Sequence, residues 1–187
     1  MGLEIVTPPA EEPVTRAEAA LFMRYTGSLQ NDVIDALITA ARKYVESWTN
    51  RTLVTTTYAY YVEDLCNEIV LPVSTVNSIT SILYQDSDDT QQTLSSTLYK
   101  LDNVSVQNKV YQVPDTTYPS VTVQPNAVKI NFTAGFGAAS AVPEDFKTAI
   151  KIMVAQMFEH REGVQEQELK ENPTIKQLLN LGADYRF

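Results

Sequence analysis

The side chains best suited to chemistry are few, and their spacing does not bring them together. The 187-residue chain contains one histidine and one cysteine. A nucleophile–base dyad or triad would have to be built around His160, in Phe158-Glu159-His160-Arg161-Glu162 near an expected helix end. A cation there complements the helix dipole without any catalytic role. Glu159, His160 and Glu162 carry ligand atoms, but adjacent helical positions point about 100° apart and do not converge on one ion. There is no HExxH pattern. Asp86-Ser87-Asp88-Asp89 resembles part of a calcium loop but lacks the glycine and distal glutamate of an EF-hand, so it reads as a solvated hairpin turn. Cys66 sits in Asp64-Leu65-Cys66-Asn67-Glu68, among acids that discourage a nucleophilic thiolate. Ala134-Gly135-Phe136-Gly137 has neither GxGxxG spacing nor a P-loop lysine and reads as a strand-to-helix turn. Carboxylates are abundant, but no pair is set apart. Any enzyme would have to draw on a group such as Asp64 or Asp102 in a cleft. The residues thus predict no catalytic, cofactor-binding or metal-binding set, and a protein that is not an enzyme.

The elements that would have to position such groups fall into three blocks. Residues 1–14 hold three prolines and no periodicity, which predicts a flexible N-terminal arm. Thr15 and Glu18 have capping-box spacing for a short helix to about Tyr25, broken at Gly27. A longer helix is expected from Asn31 to Trp48, with an apolar stripe of Val33, Ile34, Leu37, Ile38, Ala41, Val45 and Trp48. From Leu53 the period becomes two, with Val54, Thr56, Tyr58, Tyr60 and Val62 alternating against smaller residues. Further strands are expected at Glu68–Leu71, Ser78–Gln85, Thr97–Leu101, Lys109–Val113 and Ala127–Thr133. Helix returns at Pro143, with a stripe of Phe146, Ala149, Ile150, Met153, Val154 and Met157, and stops near Gly163. A last short helix follows Asn172-Pro173.

This order predicts an α+β fold: a helical bundle from N- and C-terminal helices with an inserted antiparallel β-meander or small sandwich. The expected divisions are a flexible N-terminal arm (1–14) and a single connector-like domain (15–163, helices 15–50 and 141–163, β insertion 53–135). A short helix and tail (164–187) follow. A chain of this length buries roughly 70% of its unfolded surface and needs no staples. The single cysteine excludes an internal disulfide. The opening MGLEIVTPPAEEP predicts no secretory leader, and no stretch approaches the roughly 18 apolar residues of a membrane span. A formal charge of −9 argues against a protein that grips nucleic acid, because grip comes from lysine and arginine neutralising phosphates.

An ordered set of motifs carries a resemblance. The segment from Asp32 through Arg42-Lys43-Tyr44-Val45-Glu46 to Arg51-Thr52-Leu53 resembles the first long helix of the head–tail connector (adaptor, head-completion) proteins of long-tailed bacteriophages. The likeness continues through Leu71-Pro72, Val76 to Asp86, Tyr99 to Asp102, and Val128 to Phe136, then Val142-Pro143 and the helix ending Phe158-Glu159-His160-Arg161-Glu162. It covers about residues 15–165. It implies a structural virion protein, made in the host bacterial cytoplasm and located in the neck between capsid and tail. There it would form a ring, of twelve copies in the family, beneath the portal and extend the DNA channel. The partners implied are further copies of itself, the portal protein and a stopper or tail-completion protein. Double-stranded DNA would pass through the lumen without specific binding.

By that resemblance, portal contact falls to Tyr185, Arg186 and Phe187 in the aromatic–basic tail. Ring closure requires one face of a subunit to meet a different face of the next. Leu21, Phe22 and Tyr25, with Tyr58 and Tyr60 of the strand block, are the candidate inter-subunit contacts. Part of the acidic excess is expected to line the lumen, and the segments before Thr15 and after Gly163 are expected to order only on assembly. Two other readings remain open: another neck or tail-completion protein of stopper type, and a β-rich module that binds a small ligand or carbohydrate.

Overall fold

A computed structural model describes residues 1–105, 107–159 and 172–183. Two compact units are formed, one from Met1–Pro9 and Thr55–Gly135, the other from Ala10–Val54 and the described residues from Phe136 onward.

The first unit is built from strands. Strand β1 is Gly2–Thr7, β2 Thr56–Val62, β3 Glu68–Val70, β4 Val76–Gln85, β5 Gln91–Thr93, β6 Tyr99–Asp102, β7 Lys109–Gln112 and β8 Val128–Ala134. A five-stranded antiparallel sheet runs β1-β2-β8-β4-β5, and a three-stranded one runs β3-β7-β6. In the larger sheet the register stacks like with like. Ile5, Tyr58, Phe132 and Ile79 form one cross-strand row, and Leu3, Tyr60, Ile130 and Ile82 form the next. On the opposite face Glu4, Ala59, Asn131 and Ser81 are in register, as are Tyr61, Lys129 and Leu83. That face is held by polar contacts. Asn131 donates to the Ser81 hydroxyl at 2.9 Å, Tyr61 donates to Glu4 at 2.9 Å, and the Lys129 ammonium lies 5.5 Å from the Tyr61 ring centre. The period-two alternation of β8 therefore buries Val128, Ile130, Phe132 and Ala134 completely while Lys129, Asn131 and Thr133 stay at the surface. Ile69 and Val110 of the smaller sheet, with Leu71 and Leu94, belong to the same core.

The second unit holds α1 (Arg16–Phe22), α2 (Asn31–Thr49), a 3-10 turn (Ala139–Ala141), α3 (Glu144–Glu159) and α4 (Pro173–Ala183). Thr15 and Glu18 form the reciprocal capping box: the threonine hydroxyl accepts the Glu18 amide, and the Glu18 carboxylate accepts the Thr15 amide. Ile34, Ile38, Ala41 and Val45 of α2 share a buried core with Phe146, Ile150, Met153 and Val154 of α3 and with Ile175 and Leu179 of α4. Val33 and Trp48, expected on the same stripe, are exposed (43% and 40%) because they lie at its margins.

The expected architecture needs correction. The chain does not make a bundle of N- and C-terminal helices with a meander or small sandwich inserted between them. It begins in the sheet, because residues 2–7, expected within a flexible arm, form the edge strand β1 against β2. The helices are thus not terminal flanks. The strands do not follow one another as a meander, since β8 lies between β2 and β4. The two sheets enclose an apolar core of their own. The physical reason is that β2 has a free edge whose backbone groups can be paired, and Gly2-Leu3-Glu4-Ile5-Val6-Thr7 supplies the alternation to do so.

The face assignment predicts unequal costs. Phe132→Ala, which removes a fully buried ring stacked 5.5 Å from Tyr58, should destabilise by about 3–5 kcal/mol. Lys129→Ala, one residue away on the polar face, should cost under about 1 kcal/mol. Denaturant unfolding midpoints of the two variants measure the difference.

Candidate assembly surfaces

The apolar rows of the large sheet are covered in the middle and run out uncovered at β1. Tyr58 and Tyr60 are buried, but their cross-strand partners Ile5 and Leu3 are 56% and 43% exposed. All six residues of β1 are exposed, and the strand is paired on one side only, so its outer edge presents free backbone donors and acceptors. Beside its first residue opens an apolar cavity of about 430 Å³, lined by Met1, Tyr60, Val62, Ile69, Val70 and Val123 among others. The Tyr60 hydroxyl donates to the Met1 sulfur at 3.2 Å. Glu63, Asp64 and Glu68 also line it, and Glu68 is paired with Lys109 at 2.7 Å.

The helical unit has an apolar surface at the turn between α1 and α2. Leu21 is 81% exposed, Leu29 almost fully so, and Phe22 and Val33 about half. The turn is set by Arg24, whose left-handed backbone (φ 55°) ends α1. Tyr25, by contrast, is half-buried and packs edge-on against Phe158, ring centres 5.3 Å apart.

A buried ionic cluster fixes the segment that leads into α1. Arg42 of α2 is nearly inaccessible and donates to Glu12 at 2.7 Å and to Glu46 at 2.8 Å. Glu46 also accepts the Leu53 amide at 3.0 Å. Burial works to lower the Arg42 pKa, but its two carboxylates more than offset that, and the group stays charged. Burial raises the Glu46 pKa, against the opposing pull of the Leu53 amide and Arg42. Outside this cluster, Arg16 is paired with Asp35.

The remaining candidates for chemistry have structural partners. Asp86 accepts the amides of Asp88 and Thr90, each at 2.9 Å, and closes the turn between β4 and β5; those bonds, the Thr90 amide foremost, lower its pKa. Asp102 is lowered by the hydroxyl and amide of Ser105 and the amide of Val104 in an analogous turn. Gly135 and Gly137 have φ of 129° and 126°, a region that disfavours a side chain, which accounts for the glycines of the strand-to-helix turn. Cys66 is exposed. Among the described residues no three His, Cys, Asp or Glu side chains come close enough to hold a metal.

Of the residues singled out for assembly, the structure leaves Leu21 and Phe22 at the surface and turns Tyr58 and Tyr60 into the sheet core. Tyr185, Arg186 and Phe187 lie outside the described residues, as does His160. Sequence reasoning missed Leu3, Ile5, Arg24 and Leu29. The alternation of Leu3 and Ile5 was the available signal, obscured by Pro8, Pro9 and Pro13 just beyond it.

No protein-family profile matches this sequence, and no curated protein does. Solved structures are similar along nearly the whole chain. A chain in the neck of an empty gene transfer agent (GTA) particle, computed with C6 symmetry, matches with a TM-score of 0.81 at 20% identity, over 97% of this chain and 94% of that one. A chain of the virion of a native GTA particle gives 0.79 at 20% identity with the same coverage. One in the neck of the native GTA particle computed with C12 symmetry gives 0.69 at 21%, over 95% and 94%. The fold is thus α+β, two antiparallel sheets with four described α-helices. It is a fold found in the neck of phage-like particles.

The ionic cluster carries a prediction for stability. Glu12→Ala, which leaves the buried Arg42 with one carboxylate, should cost about 1–3 kcal/mol. Because folding raises the Glu46 pKa, its contribution is fully present below the ordinary glutamate value and is lost as pH climbs through the raised one. Glu46→Gln should therefore flatten that part of the stability–pH curve, as followed by melting temperature across the mildly acidic range.

Proposed function

We propose that this chain is a structural, non-catalytic neck protein that joins a phage head at its portal to the tail, as a ring that extends the DNA channel. The observation that carries the reading is the likeness of nearly the full chain to neck chains of GTA particles. The sequence resemblance to head–tail connectors points the same way. Such a part works through shape and contact. Its −9 charge suits a passage that DNA must leave freely, since a run of basic contacts would create a retentive, salt-dependent site. Acidic side chains facing the lumen would repel the phosphates. The partners are other copies of the chain, the portal and a stopper or tail-completion protein, with Tyr185, Arg186 and Phe187 proposed for the portal contact.

One observation favours a second reading. The apolar cavity beside β1 is of a size that takes a small ligand, as a β-rich binding module would require. Oligomeric state separates the two. Native mass measurement and negative-stain imaging, with and without the portal of the same particle, should show a closed ring, twelvefold as in the C12 neck. Removing residues 185–187 should leave the ring and abolish its capture by portal. A persistent monomer that ignores portals would overturn the proposal.

A further inference from the structure

The chain exposes two apolar clusters, one on each unit, whose surrounding charges are of opposite sign. On the sheet unit, Leu3 and Ile5 continue the buried rows of Tyr60 and Tyr58 into solvent, and Val70 and Val123 stand open at the adjoining cavity. Glu63 and Asp64 border that cavity and form no ion pair among the described residues. On the helical unit, Leu21, Phe22 and Leu29 project from the α1–α2 turn around Arg24, an exposed cation that likewise forms no ion pair among the described residues. Apolar surface left open in this way marks an interaction site, and an unpaired strand edge is commonly covered by a helix.

Resting on the ring reading above, we propose that neighbouring copies join head to tail through these two clusters. The α1–α2 turn of one copy, with Leu21, Phe22 and Leu29, seats on the open β1 end of the next copy's sheet core. Arg24 faces the acidic rim of Glu63 and Asp64. A second copy is the fitting occupant because a closed ring needs two different faces per subunit that match each other. Apolar against apolar, with one basic and one acidic rim, satisfies that requirement. The pairing covers Leu3 and Ile5, which intramolecular folding leaves in water, and it shields the free edge of β1 from unspecific strand addition.

The head-to-tail geometry has a signature that other arrangements lack. Arg24→Glu would place acid against acid, and the double variant Glu63→Lys/Asp64→Lys would place base against base. Each variant alone should lose ring formation by about tenfold or more at low salt, because like charges brought together at an interface cost several kcal/mol. Mixed in equal amounts they should assemble again, since alternating subunits restore an opposite-charge pair at every junction. The measurement is native mass of the ring, alone or on the portal, with melting temperature confirming that each variant is folded. Wild-type-like rings from either variant alone, or folded variants whose mixture stays unassembled, would overturn this interface while wild-type rings keep the neck reading. Wild-type protein that forms no ring in either setting would overturn the neck reading itself, and the interface with it.

Discussion

Strand β8 is the constraint on which the sheet unit depends. It is hydrogen-bonded on both sides, to β2 and to β4, and its alternating residues decide which face of three strands is apolar. With Val128, Ile130, Phe132 and Ala134 fully buried, a slip of one residue would bring Lys129 and Asn131 into the core and Phe132 into water. The same register carries outward through β2 to β1. There the apolar rows end on Leu3 and Ile5 with nothing over them. The feature that fixes the fold thus also creates the surface that the fold leaves unfinished.

The helical unit solves a different problem. Its four helices bury apolar stripes against one another, but the segment that enters α1 has little apolar surface to hold it. Arg42 and its two carboxylates do that instead, gripping Glu12 ahead of α1 and, through Glu46, the amide of Leu53 beyond α2. A buried guanidinium is tolerated because its donors are matched by well-placed acceptors. The capping box at Thr15 and Glu18 then starts α1 a few residues later.

Much of the local structure was legible because it rests on local rules. The capping box, the α2 stripe and the alternation of β2 and β8 are patterns with one physical solution each, and the structure has them. The arrangement of the elements was not legible in the same way. Which strand pairs with which is decided by contacts distant in sequence, and the pairing of β1 with β2 spans more than fifty residues. Pro8, Pro9 and Pro13 drew attention to a flexible arm, although they follow the strand and do not interrupt it. The assembly surface was partly visible. Leu21 and Phe22 have no place on a short helix's buried side, whereas Tyr58 and Tyr60 follow an alternation that turns them inward. No rule of composition would have separated those two cases.

A protein with these properties fits a role in which contact surfaces matter more than a reactive centre. Its polar groups serve turns, caps and one buried ion cluster, and its open apolar surface lies at a strand edge and a helix turn. The most direct measurement of the central claim is electron microscopy of particles assembled without this chain. The account predicts full-size heads that stop at the portal and bear no tail, with attachment restored when the chain is supplied separately. Tailed, functional particles formed in its absence would contradict it.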